Sequence, residues 1–293
     1  MKKNLLIFSL VFFCFSVHFI QAQDQPTGQE LLNKMLQSIK KVNTLTYTLK
    51  AWERLDNGSK TQYNEMLTHF QKQPLRIYVK NFSPPNEGVE VLYKENELDG
   101  KALVNAKKWL PNLKLDPYGS QLRKDQHHTI FNTGFEYLGG IVTKALNRAA
   151  KEAKSPDEIN QVFVYDGDVT WNGISCYKIV LYDPTFTYED YVVKPGDNLN
   201  TLADRRGINA YLVIDKNDNV KWFDSFPEGE QVKLPTSYAK KTILYLDKSN
   251  MLPIVQIMHD EKGQFEKYEF HDLKVNPQFA PDQFSEDYSA YGF

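Results

Sequence analysis

Residues 191–235 have the sequence YVVKPGDNLNTLADRRGINAYLVIDKNDNVKWFDSFPEGEQVKLP, and this stretch determines how the rest of the chain is divided. Its first residues are β-branched and aromatic, which predicts a short strand, and a Pro-Gly turn follows. Asn198 precedes leucines at helical spacing and is typical of a helix N-cap, whereas Gly207 is typical of a helix end. Asn209 predicts the cap of a second helix, and residues 231–234 predict a closing strand. The predicted order is strand, helix, helix, strand.

This pattern resembles the LysM domain, a small βααβ module that binds glycans containing N-acetylglucosamine. Two departures from the family pattern stand out: Asn198 replaces the usual hydroxyl residue, and Asp218 stands where a proline is common. A degenerate module that serves as a spacer or a protein contact is the alternative. The matching residues, in chain order, are Tyr191, Val192, Val193, Lys194, Pro195, Gly196, Asp197, Leu199, Leu202, Ala203, Gly207, Ile208, Leu212, Asn217, Pro227, Gly229, Val232, Leu234 and Pro235.

The resemblance implies a glycan-binding groove between two loops. Asparagine side chains and backbone amides suit the acetamido group of such a sugar. The implied partner is peptidoglycan or a chitin-like glycan, and a single module is expected to bind weakly, with a dissociation constant near ~1 mM, or about 4 kcal/mol. The implied contact residues are Gly196, Asp197, Asn198 and Leu199 in the first loop, and Lys216, Asn217, Asp218 and Asn219 in the second.

The sequence on either side of this stretch alternates with period two and predicts a long series of antiparallel strands. A capping box, Thr27 with Glu30, begins a first amphipathic helix, and apolar residues at helical spacing over 135–149 predict a second, which Ser155-Pro156 is expected to end. We predict an α+β fold: a curved antiparallel sheet with helices covering its concave face, plus the inserted βααβ module. The predicted strands are 45–55, 61–71, 75–80, 88–93, 101–105, 113–115, 162–165, 169–171, 175–183, 241–246, 253–259 and 265–275.

The segments VEVLY (89–93), LDPYG (115–119) and 127–135 resemble a family of exported bacterial proteins known as domain of unknown function 1571. The general plan, with the closing strand YEFHDLKVN (268–276), is similar to periplasmic lipoprotein carriers of the LolA type. That resemblance implies an incomplete antiparallel barrel with a helical lid. The predicted domains are a LolA-like host at 27–186 and 238–284, an inserted LysM domain at 190–236, and a C-terminal tail at 285–293.

Residues 1–22 predict a secretory signal that is cleaved after Ala22, because two lysines precede an apolar run. An uncleaved anchor is the alternative, although the run is short for a membrane span. Cys14 does not fit a lipoprotein signal, since Phe13 occupies a position that needs a small residue. We therefore expect a periplasmic or secreted protein, with no transmembrane span after the signal is removed.

The charge and the cysteine content of the chain exclude further classes of protein. The full chain has a formal net charge of −2 and no basic footprint for nucleic acid. Cys176 is the one cysteine beyond the predicted signal, and its apolar neighbours indicate a buried, inert thiol.

We expect no enzymatic activity, metal or cofactor. Common nucleophile, zinc and phosphate-binding motifs do not occur, and Glu189 with Asp190 would be an isolated carboxylate pair for a wall hydrolase. His127 and His128, near Asp125, could hold a metal, but adjacent side chains are expected to point in different directions. The stretch 215–219 imitates a calcium loop but lacks its later ligands.

Three classes of function remain: two binding functions, and an unrecognised wall hydrolase as the third. The main prediction is a non-catalytic envelope protein that binds peptidoglycan weakly through one LysM domain. The alternative is a carrier or binder of lipid or lipoprotein, because an apolar concave sheet can bury an acyl chain. A concave face that is simply filled by its own helices would leave no such site.

Overall fold

The computed structural model describes residues 25–55, 58–107, 109–153, 155–223 and 226–293. The predicted export signal and its cleavage position lie outside these residues. Among the residues that are described, no helix combines the length and the apolar character needed to cross a membrane.

A large antiparallel sheet of eleven strands forms the body of the described chain. The strands lie in the order β6-β5-β4-β3-β2-β1-β13-β12-β11-β8-β7, so β1 and β13 join the early strands to the late ones. The sheet is curved but does not close into a barrel. Its strands are β1 (Thr44–Leu55), β2 (Lys60–Gln71), β3 (Arg76–Asn81), β4 (Glu90–Lys94), β5 (Ala102–Asn105), β6 (Leu113–Leu115), β7 (Phe163–Trp171), β8 (Ile174–Tyr182), β11 (Lys241–Asp247), β12 (Pro253–Asp260) and β13 (Gly263–Val275).

Helices α1 (Gly28–Lys40), α3 (Glu136–Glu152) and α4 (Pro156–Val162) contact one another and pack into the main core. The predicted capping box of α1 is present, with Thr27 and Glu30 exchanging hydrogen bonds. A Cβ atom at Gly28 would lie 2.2 Å from the carbonyl oxygen of Phe163, so glycine lets α1 approach β7 closely. A short helix, α2 (Ser120–Arg123), precedes α3.

The insert (residues 188–235) leaves the large sheet between β8 and β11, which pair directly with each other. Its two strands, β9 (Tyr188–Val192) and β10 (Gln231–Pro235), pair in a separate sheet and enclose α5 (Leu199–Arg206) and α6 (Ala210–Lys216). This is the predicted order of elements, but four short elements in order do not by themselves establish a LysM domain. The insert has its own core of Val193, Leu199, Leu202, Ala203, Ile208, Val213, Val220, Phe223, Val232 and Leu234.

Of two predictions about the chain before the insert, one is confirmed and one is wrong. The helix α3 ends at Glu152, shortly before Ser155-Pro156 as predicted, and Ser155 then accepts a hydrogen bond from the Glu158 amide (3.4 Å) and caps α4, a helix that the sequence did not predict. Residues 162–165 and 169–171 are not two strands but one strand, β7, whose register shifts between Tyr165 and Asp168. Gly167, with φ of +81°, lies within that irregularity, so the turn signal there marks a bulge.

The C-terminal residues pack on the sheet. Tyr291 stacks on Tyr78 with ring centroids 3.6 Å apart, and the Gly292 amide donates to Glu90 (2.6 Å). Cys176 is buried as predicted, and burial raises the pKa of its thiol to about 11.

Candidate functional site

A pocket of about 610 Å³ lies between the concave face of the sheet and residues 121–141, here called the covering segment. The helices therefore do not fill this part of the concave face, and the alternative of a completely filled interior is wrong. Its apolar lining comprises Tyr47, Leu49, Ala51, Met66, Val79, Pro85, Val89, Val91, Val104, Ala106, Leu113, Leu115, Leu122, Ile130, Tyr137, Leu138, Ile141, Met258, Tyr268 and Phe270.

The sheet side of the pocket is built from rows of paired residues. Because alternate residues of a strand point to one face, residues paired across neighbouring strands line the same wall. The longest row crosses six strands in the order Leu113, Val104, Val91, Val79, Thr68 and Tyr47. A second row crosses four strands as Asn81, Met66, Leu49 and Phe270.

A third row adds polar groups to this wall. It runs from Asn64 through Ala51 and Tyr268 to Gln256. Asn64 and Gln256 are buried and both border the pocket. The sheet wall therefore combines a long apolar surface with a few amide groups, and Glu53, Lys124, Asp125 and His128 add charged or ionisable side chains to the lining. A mainly apolar lining with a few polar groups is the usual composition of a ligand pocket.

A buried ionic network anchors the covering segment beside the pocket. The Glu266 carboxylate is fully buried. Its Oε1 atom lies 2.7 Å from His127 Nδ1 and 3.1 Å from His128 Nε2. Tyr238 also donates its hydroxyl to this carboxylate (2.8 Å). Glu53 accepts hydrogen bonds from the His127 amide (3.1 Å) and the Tyr268 hydroxyl (2.6 Å). Four elements distant in sequence thus meet at one point.

From the partners of its two ring nitrogens, we assign a proton to both nitrogens of His127. Nδ1 faces the Glu266 carboxylate and Nε2 faces the Arg54 carbonyl oxygen at 2.7 Å, and neither oxygen can donate. Burial alone would lower the pKa of His127, but Glu53, Glu266 and the Arg54 carbonyl together raise it above its ordinary value. Burial would likewise raise the pKa of Glu266, yet the two histidines hold it well below its usual range.

The insert closes the other side of this network. Asn209, which caps α6 through its Oδ1, donates Nδ2 to Glu266 at 2.7 Å. The Tyr211 ring stacks on His127 with centroids 3.8 Å apart. The insert is therefore joined to the covering segment through the same carboxylate.

Two arginines reinforce the contact between insert and host. Arg54 donates to both oxygens of Asp260 and lies 3.6 Å from the Asp215 carboxylate of the insert. Arg123, in the covering segment, donates to the His127 carbonyl (2.8 Å) and lies 3.2 Å above the Phe223 ring of the insert. Burial lowers the pKa of Arg123 to about 10.

The residues of the predicted glycan groove take part in the internal structure of the insert. Asp197 accepts from the Tyr191 hydroxyl (2.6 Å) and the Lys194 amide (2.9 Å), and Asn198 caps α5 through the Asn200 and Thr201 amides. Leu199 is buried in the second core, whereas Gly196 is exposed.

The second predicted loop is similar. Asn217 bonds the backbone of Lys233 through both ends of its amide, and Asn219 donates to Glu230 (2.7 Å). Lys216 and Asp218 are exposed. The loops keep these hydrogen bonds within the insert, and sugar contact stays a prediction.

The expectation that His127 and His128 point apart is wrong, since both ring nitrogens lie within 3.1 Å of one Glu266 oxygen. Asp125 is not part of that group and pairs with Lys60 at 3.6 Å. No group of three metal-ligating side chains occurs among the described residues. Sequence reasoning missed Glu266 because it lies 139 positions from His127, and no local pattern marks the pair.

Solved structures of low sequence identity align with most of the chain. Lipoprotein LppX from Mycobacterium tuberculosis is 10% identical, with a TM-score of 0.39, over 85% of this chain and 97% of that one. A LolA superfamily protein from Nitrosomonas europaea is 10% identical, with a TM-score of 0.36, over 90% of this chain and 99% of that one. A putative outer membrane lipoprotein-sorting protein domain from Vibrio parahaemolyticus is 10% identical, with a TM-score of 0.33, over 88% of this chain and 97% of that one. Likenesses of this strength transfer no function to the chain.

No curated protein matches the sequence. Residues 42–190, about half of the chain, match a family described as "Protein of unknown function (DUF1571)". This match covers β1 to β8, the first residues of β9 and the whole covering segment. The chain belongs to the DUF1571 family.

Proposed function

We propose that the protein binds a lipid, or another ligand with a long apolar chain, in the pocket under the covering segment. The observation that carries the proposal is an unfilled volume of about 610 Å³ with a predominantly apolar lining. That volume falls within the range of roughly 300–1,000 Å³ typical of small-molecule sites. An acyl chain lying along the rows of paired residues would contact the side chains of six strands.

The energetics favour a long chain. Each buried methylene contributes about 0.8 kcal/mol, so about sixteen methylenes contribute roughly 13 kcal/mol before association costs. Association and ordering cost about 4 kcal/mol or more. A long acyl chain can therefore bind with useful affinity, whereas a short one cannot. The amides of Asn64 and Gln256 are placed to bond a polar group attached to the chain.

A cavity-filling variant tests this function. Val91 is half-buried on the pocket wall, so Val91→Trp would occupy volume that a ligand needs. Val164, on β7, is 38% exposed and does not line the pocket, so Val164→Trp is a matched control. We expect a fluorescent acyl probe to bind the wild type and the control, and to bind Val91→Trp at least tenfold more weakly. Equal binding by both variants would refute the pocket as the site.

A second function, weak glycan binding by the insert, is favoured by a different observation. The insert has the strand and helix order of a LysM domain and a core of its own. We propose that it contacts peptidoglycan through the exposed parts of its two loops, with the host domain holding the lipid. Catalysis forms no part of either function.

The glycan proposal needs variants that leave the insert folded. Asn198 and Asn217 bond the backbone, so their replacement would disturb the insert itself. Asp218 is exposed in the second loop, and Asp287 is an exposed aspartate elsewhere. We expect sedimentation with insoluble peptidoglycan to fall for Asp218→Ala and not for Asp287→Ala. No sedimentation of the wild type would remove this function and leave the lipid proposal intact.

A further inference from the structure

An exposed apolar patch borders the pocket at the loop between β5 and β6. Trp109 is 76% exposed, Leu110 is 41% exposed and Leu113 is 47% exposed, so three large apolar side chains face solvent within five residues. Large apolar side chains clustered on a surface mark a binding surface more often than isolated ones do. Because Leu113 also lines the pocket, the patch is continuous with the candidate lipid site.

The same loop is positively charged. Lys107 and Lys114 flank the patch, and the sequence from 100 to 115 contains no acidic residue. The Lys107 ammonium lies 5.7 Å from the centre of the Trp109 ring, and Lys114 is exposed on β6. Tryptophan, leucine and lysine side chains together are typical of protein segments that lie in the interface of an anionic membrane.

The position of the loop agrees with that partner. β6 is an edge strand of the large sheet, so the loop before it lies at that edge. Ala106 and Leu113, one near each end of the loop, both line the pocket. A bilayer in contact with Trp109 would therefore lie beside residues that line the pocket.

We infer that the rim patch (Lys107, Trp109, Leu110, Leu113 and Lys114) docks on the surface of an anionic lipid bilayer. The apolar side chains enter the interface between headgroups and acyl chains, while the two ammonium groups remain at the level of the phosphates. Docking requires no ligand in the pocket, so this inference does not depend on the proposed function. It adds the place at which a lipid would be exchanged.

Flotation with vesicles tests the inference. The purified protein is mixed with vesicles of phosphatidylcholine alone, or of phosphatidylcholine with about one third phosphatidylglycerol, at low and at high salt. We expect flotation with the anionic vesicles at low salt, and weaker flotation at high salt because salt screens the lysines. Failure to float with anionic vesicles would overturn the inference.

Matched variants locate the contact. Lys107→Ala and Lys114→Ala should each lower vesicle partitioning about fivefold, the equivalent of about 1 kcal/mol for a lysine at an anionic surface. Trp109→Ser should lower it about tenfold through the loss of apolar burial. Lys34→Ala and Tyr182→Ser change exposed residues elsewhere and should float as the wild type does. Equal flotation of all five variants would overturn the inference.

The acyl-probe assay separates this inference from the proposed function. Trp109 does not line the pocket, so Trp109→Ser should bind the soluble probe as the wild type does. Loss of flotation with retained probe binding is the expected result. If Val91→Trp loses probe binding but still floats with vesicles, the pocket and the rim patch are separate binding sites.

Discussion

Replacement of Glu266 by glutamine would remove the carboxylate that joins the sheet, the covering segment and the insert. His127, His128, Asn209 and Tyr238 all bond this group in the wild type. Glutamine keeps the shape but leaves the buried His127 imidazolium without its closest counter-charge. Loss of one partner of a buried ion pair costs about 3–5 kcal/mol. At about 2 °C for each kcal/mol in a chain of this size, we expect the melting temperature to fall by roughly 6 to 10 °C.

The effect should depend on pH in a defined direction. The pKa of Glu266 is lowered by the histidines, so its contribution is present above its unfolded pKa of about 4.3 and is lost as the pH falls toward its folded pKa. The pKa of His127 is raised, so its contribution is complete below its unfolded pKa of about 6.5 and is lost as the pH rises through its folded pKa. The difference between wild type and Glu266→Gln should be greatest between about pH 4.3 and 6.5.

Thermal or urea unfolding across that pH range, followed by circular dichroism, measures the difference. Glu286→Gln is the control, because Glu286 is an exposed carboxylate near the C-terminus. It should unfold within about 1 °C of the wild type, since surface changes of this kind are small. A Glu266→Gln protein as stable as the control at every pH would refute the assignment of a charged His127 beside Glu266.

Three further outcomes are expected. Arg123→Ala should speed the exchange of a bound acyl probe severalfold, because Arg123 holds the covering segment against Phe223; an unchanged exchange rate would show that the insert does not restrain that segment. Shortening an acyl ligand should weaken binding about fourfold for each methylene removed, and affinity that is independent of chain length would argue against burial in the pocket. Cys176 should resist thiol reagents at pH 8 in the folded protein and react after denaturation, because burial raises the pKa of its thiol to about 11; rapid labelling of the native protein would contradict its burial.

The local elements of the fold could be predicted because their causes are local. Period-two alternation indicated β1 and β2 on either side of residues 56–58, and these strands do pair antiparallel. The capping box of α1 and the helix end at Gly207, with φ of +69°, depend on residues only a few positions apart. The wrong prediction of two strands in place of β7 also has a local cause, since a glycine such as Gly167 is as compatible with a bulge as with a turn.

The pocket and its network could not be predicted because they depend on distant pairing. β1 lies beside β13, and that pairing places Glu53 opposite Glu266 on neighbouring strands. Both glutamates then bond His127 of the covering segment: Glu53 accepts from its backbone amide, and Glu266 contacts its ring Nδ1. The unfilled volume depends on where the helices come to rest over the sheet, which no periodicity specifies.

Mass spectrometry of protein purified without detergent tests lipid binding most directly. A solvent extract of the folded protein, compared with an extract of Val91→Trp, would show which apolar molecules occupy the pocket. We expect acylated lipid in the wild-type extract, and uptake of added lipid by any empty fraction, with both strongly reduced in the variant. A lipid-free wild type that takes up no added acyl lipid would contradict the proposal.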